Sequence, residues 1–517
     1  MTRTAVFRVD ASSQMGTGHV YRCLTLAKAL QAAGYRCHFV CRELPGHLAA
    51  IIAAQQYEIT LLPAQLVSFD PTERQPYQQW LGAPWHTDAD QTVTVIQRSL
   101  GGSVDLLVVD HYGLDARWHQ ELRPATKRIL VLDDLADRPL DADWVLDQTH
   151  GRLPSDYQPR LLRADTQILA GAKYALLRPE FAQLRAAALR RRQAAVETPR
   201  LLITLGGADP DNLSARLLVS LAQVFDHAAL SVDLVIGASN PHSETLRQSV
   251  AMMPFETRLH VATPRMAELM VEADLAIGAA GTTSWERCVL GLPTLTLCLA
   301  ENQREVLANL ADAGAIQTLP IEAVSSPQML QHAIVEGLAH RETLTAAAAR
   351  ITDGLGIKRV MMALLEEPIR DGRPLRVRLA QAEDCQILFE WQCAPRTRMF
   401  ARNPQVPSWE GHQAWYRNKL ADPAALLAFM VLGETPVGML RLDPVASTQY
   451  DEISVLVSPE HYRLGIAEAG LKLLRRLYPE RHLLATVLAD NQASHGLFQR
   501  LGYEPISPEQ YRLLPQD

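Results

Sequence analysis

The sequence has little of what would place it outside the ordinary globular class. Only seven of its 517 residues are cysteine, at positions 23, 37, 41, 288, 298, 385 and 393, an odd number with no C-x-x-C spacing. That excludes a disulfide framework and a cysteine zinc site and leaves reduced thiols. The 16 histidines form no H-x-x-x-H pair beside an acid on a helical pattern, so no metal is expected. Long apolar runs are missing too: the longest uncharged apolar-rich run near the middle, 288–300, contains Gly291 and Pro293 and is too short to cross a bilayer. The first ten residues, MTRTAVFRVD, lead straight into a strand-like run without the apolar core of a signal peptide. A cytoplasmic protein with no membrane partner is the expectation. An excess of positive charge is also absent. Fifty Lys+Arg against 57 Asp+Glu give a net charge of −7, which argues against a dedicated nucleic-acid partner.

What remains is a chain with 48% hydrophobic and 21% charged residues, a globular composition whose length suits roughly three domains of about 150 residues. Strand-like runs at 4–10, 36–41, 104–110 and 128–132 alternate with amphipathic segments, the first helix reading from 19 to 33. The pattern restarts at 200–205, with later strands at 231–236, 275–277 and 294–297. Such alternation implies βαβ units and two successive parallel sheets. Between them, 178–200 reads mostly as one charged helix, and its run Arg190-Arg191-Arg192 is taken as a solvated helix face rather than an anion patch. A second break falls at 366–375 (EEPIRDGRPL), which reads as a linker because Pro, Gly and charges replace the preceding helix. A separate α/β domain follows. The expected division is 1–177, 178–366 and 374–517.

Four loops carry the chemistry of the first two domains. The first strand ends at Asp10 and leads into Gly16-Thr17-Gly18-His19 at a helix start. Glycines there allow a tight turn and a close approach of backbone N–H groups to a substrate. The third glycine of the dinucleotide fingerprint is missing. A histidine at a helix N-terminus is favoured as the neutral base, so His19 is a candidate general base, with loop packing as its alternative role. In the second half, Gly281-Thr282-Thr283-Ser284 follows a strand and opens a helix, which suits a diphosphate. Glu286 is placed to accept both hydroxyls of a ribose; an acidic first turn is the alternative. Gly206 repeats the glycine chemistry after that half's first strand, and Asn302-Gln303 follows its late strand.

These residues resemble a family. Two Rossmann-like halves carrying Gly-x-Gly-His and Gly-Thr-Thr-x-Trp-Glu look like the GT-B nucleotide-sugar enzymes. The ordered motifs Arg8-Val-Asp10…His19-x-x-Arg22-Cys23, Asp110-His111-Tyr112-Gly113, Tyr174…Arg178-Pro-Glu-Phe181 and Trp285-Glu286-Arg287-Cys288 are closer still. They resemble the PseG-like UDP-2,4-diacetamido-2,4,6-trideoxy-β-L-altropyranose hydrolases of pseudaminic acid synthesis, over about residues 3–365. The resemblance implies a UDP-linked amino sugar as substrate, with His19 catalytic. Gly16, Thr17, Gly18, Asp110, Tyr112, Gly206, Gly281, Thr282, Thr283, Ser284, Glu286, Asn302 and Gln303 would bind it.

The last domain resembles the GNAT acetyltransferases through Ser458-Pro-Glu-His-Tyr462-Arg463-Leu464-Gly465-Ile466-Ala467 and Asn491…Ser494…Phe498…Gly502-Tyr503. Acetyl-CoA is the implied co-substrate, held by Val457, Arg463, Leu464, Gly465, Ile466, Ala467, Asn491 and Ser494. Tyr462 departs from the usual Gln/Arg that opens the loop, and Phe498 stands where many of these enzymes carry the tyrosine that protonates the departing thiolate. The stretch with Trp391, Arg396, Arg398, Met399, Phe400, His412, Trp415 and Tyr416 resembles PseH-like N-acetyltransferases and suits a uracil ring and a diphosphate; core packing is its alternative. The expected fold is a GT-B pair of Rossmann-like domains followed by a GNAT α/β domain. The expected function is bifunctional: 4-N-acetylation of a UDP-sugar precursor, then hydrolysis to UDP and free sugar, with other enzymes of that synthesis as partners. A UDP-sugar glycosyltransferase with a non-catalytic acyl-CoA-binding module is the alternative.

Overall fold

In a computed structural model, residues 3–65, 77–226, 230–238, 240–422 and 424–515 are described. The chain forms two compact units that divide between Ile357 and Lys358.

The first unit holds two parallel sheets. One contains β1 (Arg3–Val9), β2 (Tyr35–Arg42), β3 (Glu58–Leu62), β4 (Leu106–Asp110), β5 (Ile129–Leu132), β6 (Trp144–Asp147) and β7 (Gln167–Ala170), in the order 3-2-1-4-5-6-7. Every pair is parallel, for example Phe7 opposite Phe39 on one side and Val108 on the other. Both faces are covered, so the strands are apolar throughout rather than alternating: Leu106, Leu107, Val108 and Val109 are all buried. The second sheet contains β8 (Arg200–Thr204), β9 (Ser231–Ile236), β10 (Thr257–Val261), β11 (Leu275–Ala279), β12 (Thr294–Leu297) and β13 (Gln317–Thr318), in the order 10-9-8-11-12-13. In each sheet the strand order reverses once, at β1/β4 and at β8/β11. Loops leaving the strands' carboxyl ends diverge there and open a crevice, which is where ligands sit in doubly wound folds.

The second unit is a mainly antiparallel sheet. It runs β14 (Glu367–Pro368), β15 (Pro374–Leu379), β16 (Leu426–Leu432), β17 (Thr435–Pro444), β18 (Tyr450–Val457), β19 (His482–Thr486), then β21 (Gln510–Leu513) and β20 (Glu504–Ser507). Its one parallel pair is β18/β19.

Two stretches differ from the sequence reading. Residues 366–375 do not form a loose linker. Pro368 pairs with Pro374, Gly372 turns at φ +86°, and Ile369 is buried, so the stretch is a hairpin on the sheet edge. Proline is tolerated there because an edge strand has no ladder bond to lose. Nor is the arginine run a solvated face throughout: Arg190 is exposed, but Arg191 pairs with Asp274 at 2.6 Å. The helix ends at Arg191, and the buried Arg192 donates to the carbonyls of Met270 (2.6 Å), Ala273 (2.5 Å) and Leu290 (3.2 Å). The first two are terminal carbonyls of the helix Met266–Glu272 and its cap, which the guanidinium satisfies.

Candidate functional site

The first crevice is built on α1 (Gly18–Ala32). Its approach is a tight turn in which Gly16 adopts φ +79° and donates its N–H to the Ser12 carbonyl at 2.9 Å. The turn delivers His19, 7% exposed, to the end of β4, where its Nδ1 lies 2.6 Å from Asp110 Oδ1. One helical turn on, Arg22 grips the same carboxylate with Nε (2.6 Å) and Nη2 (2.7 Å), and its Nη1 reaches Asp134 Oδ2 at 2.5 Å. Burial would push the Asp110 carboxyl up, but Arg22 and His19 together hold it well below the usual carboxylate range. A permanently ionised Asp110 accepts the Nδ1 proton and leaves the His19 lone pair on Nε2. This is the orientation a general base requires.

Asp110 and Tyr112, expected as ligands of a UDP-sugar, both contact His19. Asp110 is fully buried with both oxygens occupied. The Tyr112 hydroxyl donates to Asp134 Oδ2 at 2.8 Å and its ring meets that of His19 edge-on, with centroids 4.8 Å apart. Two further groups lock the strand ends. Burial lowers His111 to about 4, so it is neutral; its Nδ1 accepts from Gly113 N at 2.9 Å, and its Nε2 lies 3.6 Å from Asp10. Asp88, fully buried, accepts from Arg8, Arg42 and the Trp118 indole N–H.

The second crevice lies beyond β11. Gly281, Thr282 and Thr283 are partly exposed, and the Gly281 and Thr282 N–H groups have no backbone acceptor among the described residues. Ser284 differs from expectation: it is buried, its hydroxyl takes the Arg287 guanidinium at 3.0 Å, and its N–H donates to Gly281 O. Its side chain is committed to the turn. Arg287 also donates to Ala279 O at 2.8 Å and fills the space where a Gly278 side chain would be. Glu286 faces Arg178, 3.8 Å away, and burial pushes its carboxyl up to about 7 against the pull of Arg178 and Arg287. Gly206 is exposed at φ +97°, Asn302 is exposed, and Gln303 accepts from its own loop at Leu299 N.

The two crevices face each other. A Cβ on Gly18 would lie 3.4 Å from the Thr282 side chain. Arg152 on the first half donates to Glu305 on the second at 2.9 Å, and Asn309 Nδ2 donates to His150 O at 2.7 Å. His19 and the small-residue turn thus line one cleft.

In the second unit, β18 and β19 pair only at Tyr450, Asp451 and Glu452. Beyond that β18 continues to Val457 while the strands diverge, opening a wedge that exposes backbone groups of one β18 edge. The wedge leads into the Arg463–Gly465 turn, with φ +67° at Arg463 and +81° at Gly465, and then into α2 (Ile466–Leu477). Leu464 and Ala467 are partly exposed and Ile466 packs inward. Asn491 caps α3 (Gln492–Arg500) by accepting from Ser494 N at 3.2 Å, so its carbonyl oxygen is committed. The aromatic stretch divides. Trp391, His412 and Tyr416 are core, with His412 Nε2 on Cys385 O and the Tyr416 hydroxyl on Gln381 O. Arg396 lies over the Tyr462 ring at 4.7 Å, and Met399 and Phe400 are exposed.

Residues 386–503 match the model of the acetyltransferase (GNAT) family. The chain is similar to several curated proteins. The UDP-2,4-diacetamido-2,4,6-trideoxy-β-L-altropyranose hydrolase of Campylobacter jejuni is 26% identical over 310 residues, 60% of this chain and 96% of its own. The spore coat polysaccharide biosynthesis protein SpsG of Bacillus subtilis is 27% identical over 266 residues, 50% of this chain and 76% of its own. A protein of Methanocaldococcus jannaschii is 23% identical over 96% of this chain and 95% of its own. Among solved structures, MurG of Acinetobacter baumannii is 18% identical over 68% of this chain and 94% of that one, with a TM-score of 0.46. The architecture is α/β throughout: GT-B-like with two Rossmann-like sheets, then a GNAT domain.

Within the GNAT domain Phe498 is buried against Tyr503 (centroids 4.9 Å) and Tyr511 (6.1 Å). Asp134, Arg22 as its bridge to Asp110, and Arg370 at the Arg463–Gly465 turn were not singled out by sequence. Asp134 carries one signal, an acidic residue just past the end of a buried parallel strand. Among the described residues, no group of three His, Cys, Asp or Glu side chains could hold a metal ion, and no helix is long and apolar enough to cross a membrane.

Proposed function

We propose that this chain catalyses two steps on one UDP-linked amino sugar. The GNAT domain transfers an acetyl group from acetyl-CoA to the 4-amino group. The first unit then hydrolyses UDP-2,4-diacetamido-2,4,6-trideoxy-β-L-altropyranose to UDP and the free sugar. The observation that carries the hydrolase reading is the His19–Asp110–Arg22 constellation facing the Gly281–Thr283 turn across one cleft. His19 Nε2 takes a proton from a water as that water attacks C1 from the face opposite UDP. The C1–O bond breaks with inversion, and its electron pair leaves on the UDP phosphate. Asp110 stabilises the imidazolium that forms. Backbone N–H groups of Gly281 and Thr282 receive the charge that builds on the departing diphosphate. Glu286 holds the ribose.

Acetyl-CoA lies in the wedge between β18 and β19, its diphosphate on the Arg463–Ala467 backbone. Mass spectrometry of the products formed from the UDP-linked 4-amino precursor tests both steps. With acetyl-CoA, UDP and the diacetamido sugar are expected; without it, the precursor persists. UDP release that requires an added sugar or alcohol acceptor would favour a glycosyltransferase instead.

A further inference from the structure

The 366–375 hairpin at the edge of the second unit's sheet lies against the Arg463–Gly465 turn of the same unit. Its Arg370 donates its backbone N–H to Leu464 O at 3.0 Å and its Nη1 to Arg463 O at 3.0 Å. The contact is close enough that a Cβ on Gly465 would meet Arg370 Cγ at 3.0 Å. Arg370 is therefore laid along the turn between the β18/β19 wedge and α2. Its side chain is exposed, and Arg463 beside it is exposed too. Lys472 of α2 and Arg500 of α3 complete a basic rim contributed by four segments. Glu468 faces it, paired with Lys472 at 3.0 Å and held below the usual carboxylate range first by that bond, with Arg500 and Arg370 adding to it. Among the described residues no carboxylate lies within ion-pair distance of Arg370, Arg463 or Arg500. Arginines held in place by carbonyls rather than by acids keep their charge free for an anion.

We infer that Arg370, supplied by the 366–375 hairpin at the edge of the second unit's sheet, is a binding residue for the phosphates of the acyl-CoA nucleotide, so that the transferase's co-substrate site is incomplete without this hairpin. The inference rests on the acetyl-CoA reading above. Calorimetric titration of the full chain with acetyl-CoA and with S-acetylpantetheine, which lacks the nucleotide phosphates, separates phosphate binding from loop support. Arg370→Ala should weaken acetyl-CoA at least fivefold and leave S-acetylpantetheine unchanged. Arg370→Glu should weaken acetyl-CoA further and lessen the dependence of its affinity on salt. Equal losses for both ligands, a loss below fivefold, or identical effects of Ala and Glu would overturn the assignment. A wild-type chain that binds neither ligand would instead refute the acetyl-CoA reading, and this inference with it.

Discussion

Replacing Asp110 with Asn tests the chemistry of the cleft more sharply than removing His19, because it changes one atom and leaves the volume unaltered. Arg22 donates to both Asp110 oxygens, at 2.6 and 2.7 Å, while His19 Nδ1 lies 2.6 Å from Oδ1. An amide has one acceptor and one donor. With its NH₂ at the Oδ2 position it opposes the Arg22 Nε–H. At the Oδ1 position it opposes Nη2 and donates to His19 Nδ1, which moves the imidazole proton to Nε2 and abolishes the base. Either placement also removes the negative charge that stabilises the imidazolium. A base held in the wrong tautomer costs about 10²- to 10⁴-fold in kcat, equivalent to about 2.7–5.4 kcal/mol of transition-state stabilisation. UDP contacts other groups, so its affinity should change by less than about threefold. A coupled assay of UDP release, with calorimetric titration of UDP, measures both. If a folded Asp110→Asn protein keeps kcat within threefold of wild type, the Asp110–His19 pair does not form the catalytic base.

Two further substitutions probe the second crevice. The Glu286 carboxyl is raised to about 7 by burial, well above the value of about 4.3 expected for an unfolded chain. The folded protein therefore holds this proton more tightly, and its stability falls as pH rises between those values. Glu286→Gln should flatten the corresponding fall in Tm. It should also remove the decrease in KM for UDP-sugar as pH rises through about 7; unchanged profiles would refute the ribose role. At Gly278, an added Cβ would lie 2.3 Å from Arg287 Nη1. Gly278→Ala should cost about 1–3 kcal/mol by denaturant titration, and a neutral result would show that Arg287 does not need that space.

What was legible in the sequence was local. The glycine-rich turn before His19, the turn at Gly281–Thr283 and the Arg463–Ala467 loop each follow an apolar strand and precede a helix, so pattern alone places them on the functional edge of a sheet. Relations across the chain were not legible. The family resemblance implies a ligand role for Asp110, yet 91 residues separate it from His19, and the β1/β4 adjacency brings the two side chains together. Arg192 reads as solvated because it sits in a charged run, while its acceptors lie 78–98 residues on. The 366–375 stretch reads as a linker because Pro and Gly disfavour a buried strand; they do not disfavour an edge hairpin. Ser284 has the composition of a phosphate ligand, and Arg287 one turn later claims its hydroxyl.

The central claim is that a His19-activated water attacks the sugar carbon rather than the phosphorus. Running the hydrolysis in H₂¹⁸O and weighing the released UDP tests it most directly. The account predicts UDP free of ¹⁸O, because the bridging oxygen departs with the diphosphate. An ¹⁸O atom in UDP would mean P–O cleavage and would contradict it.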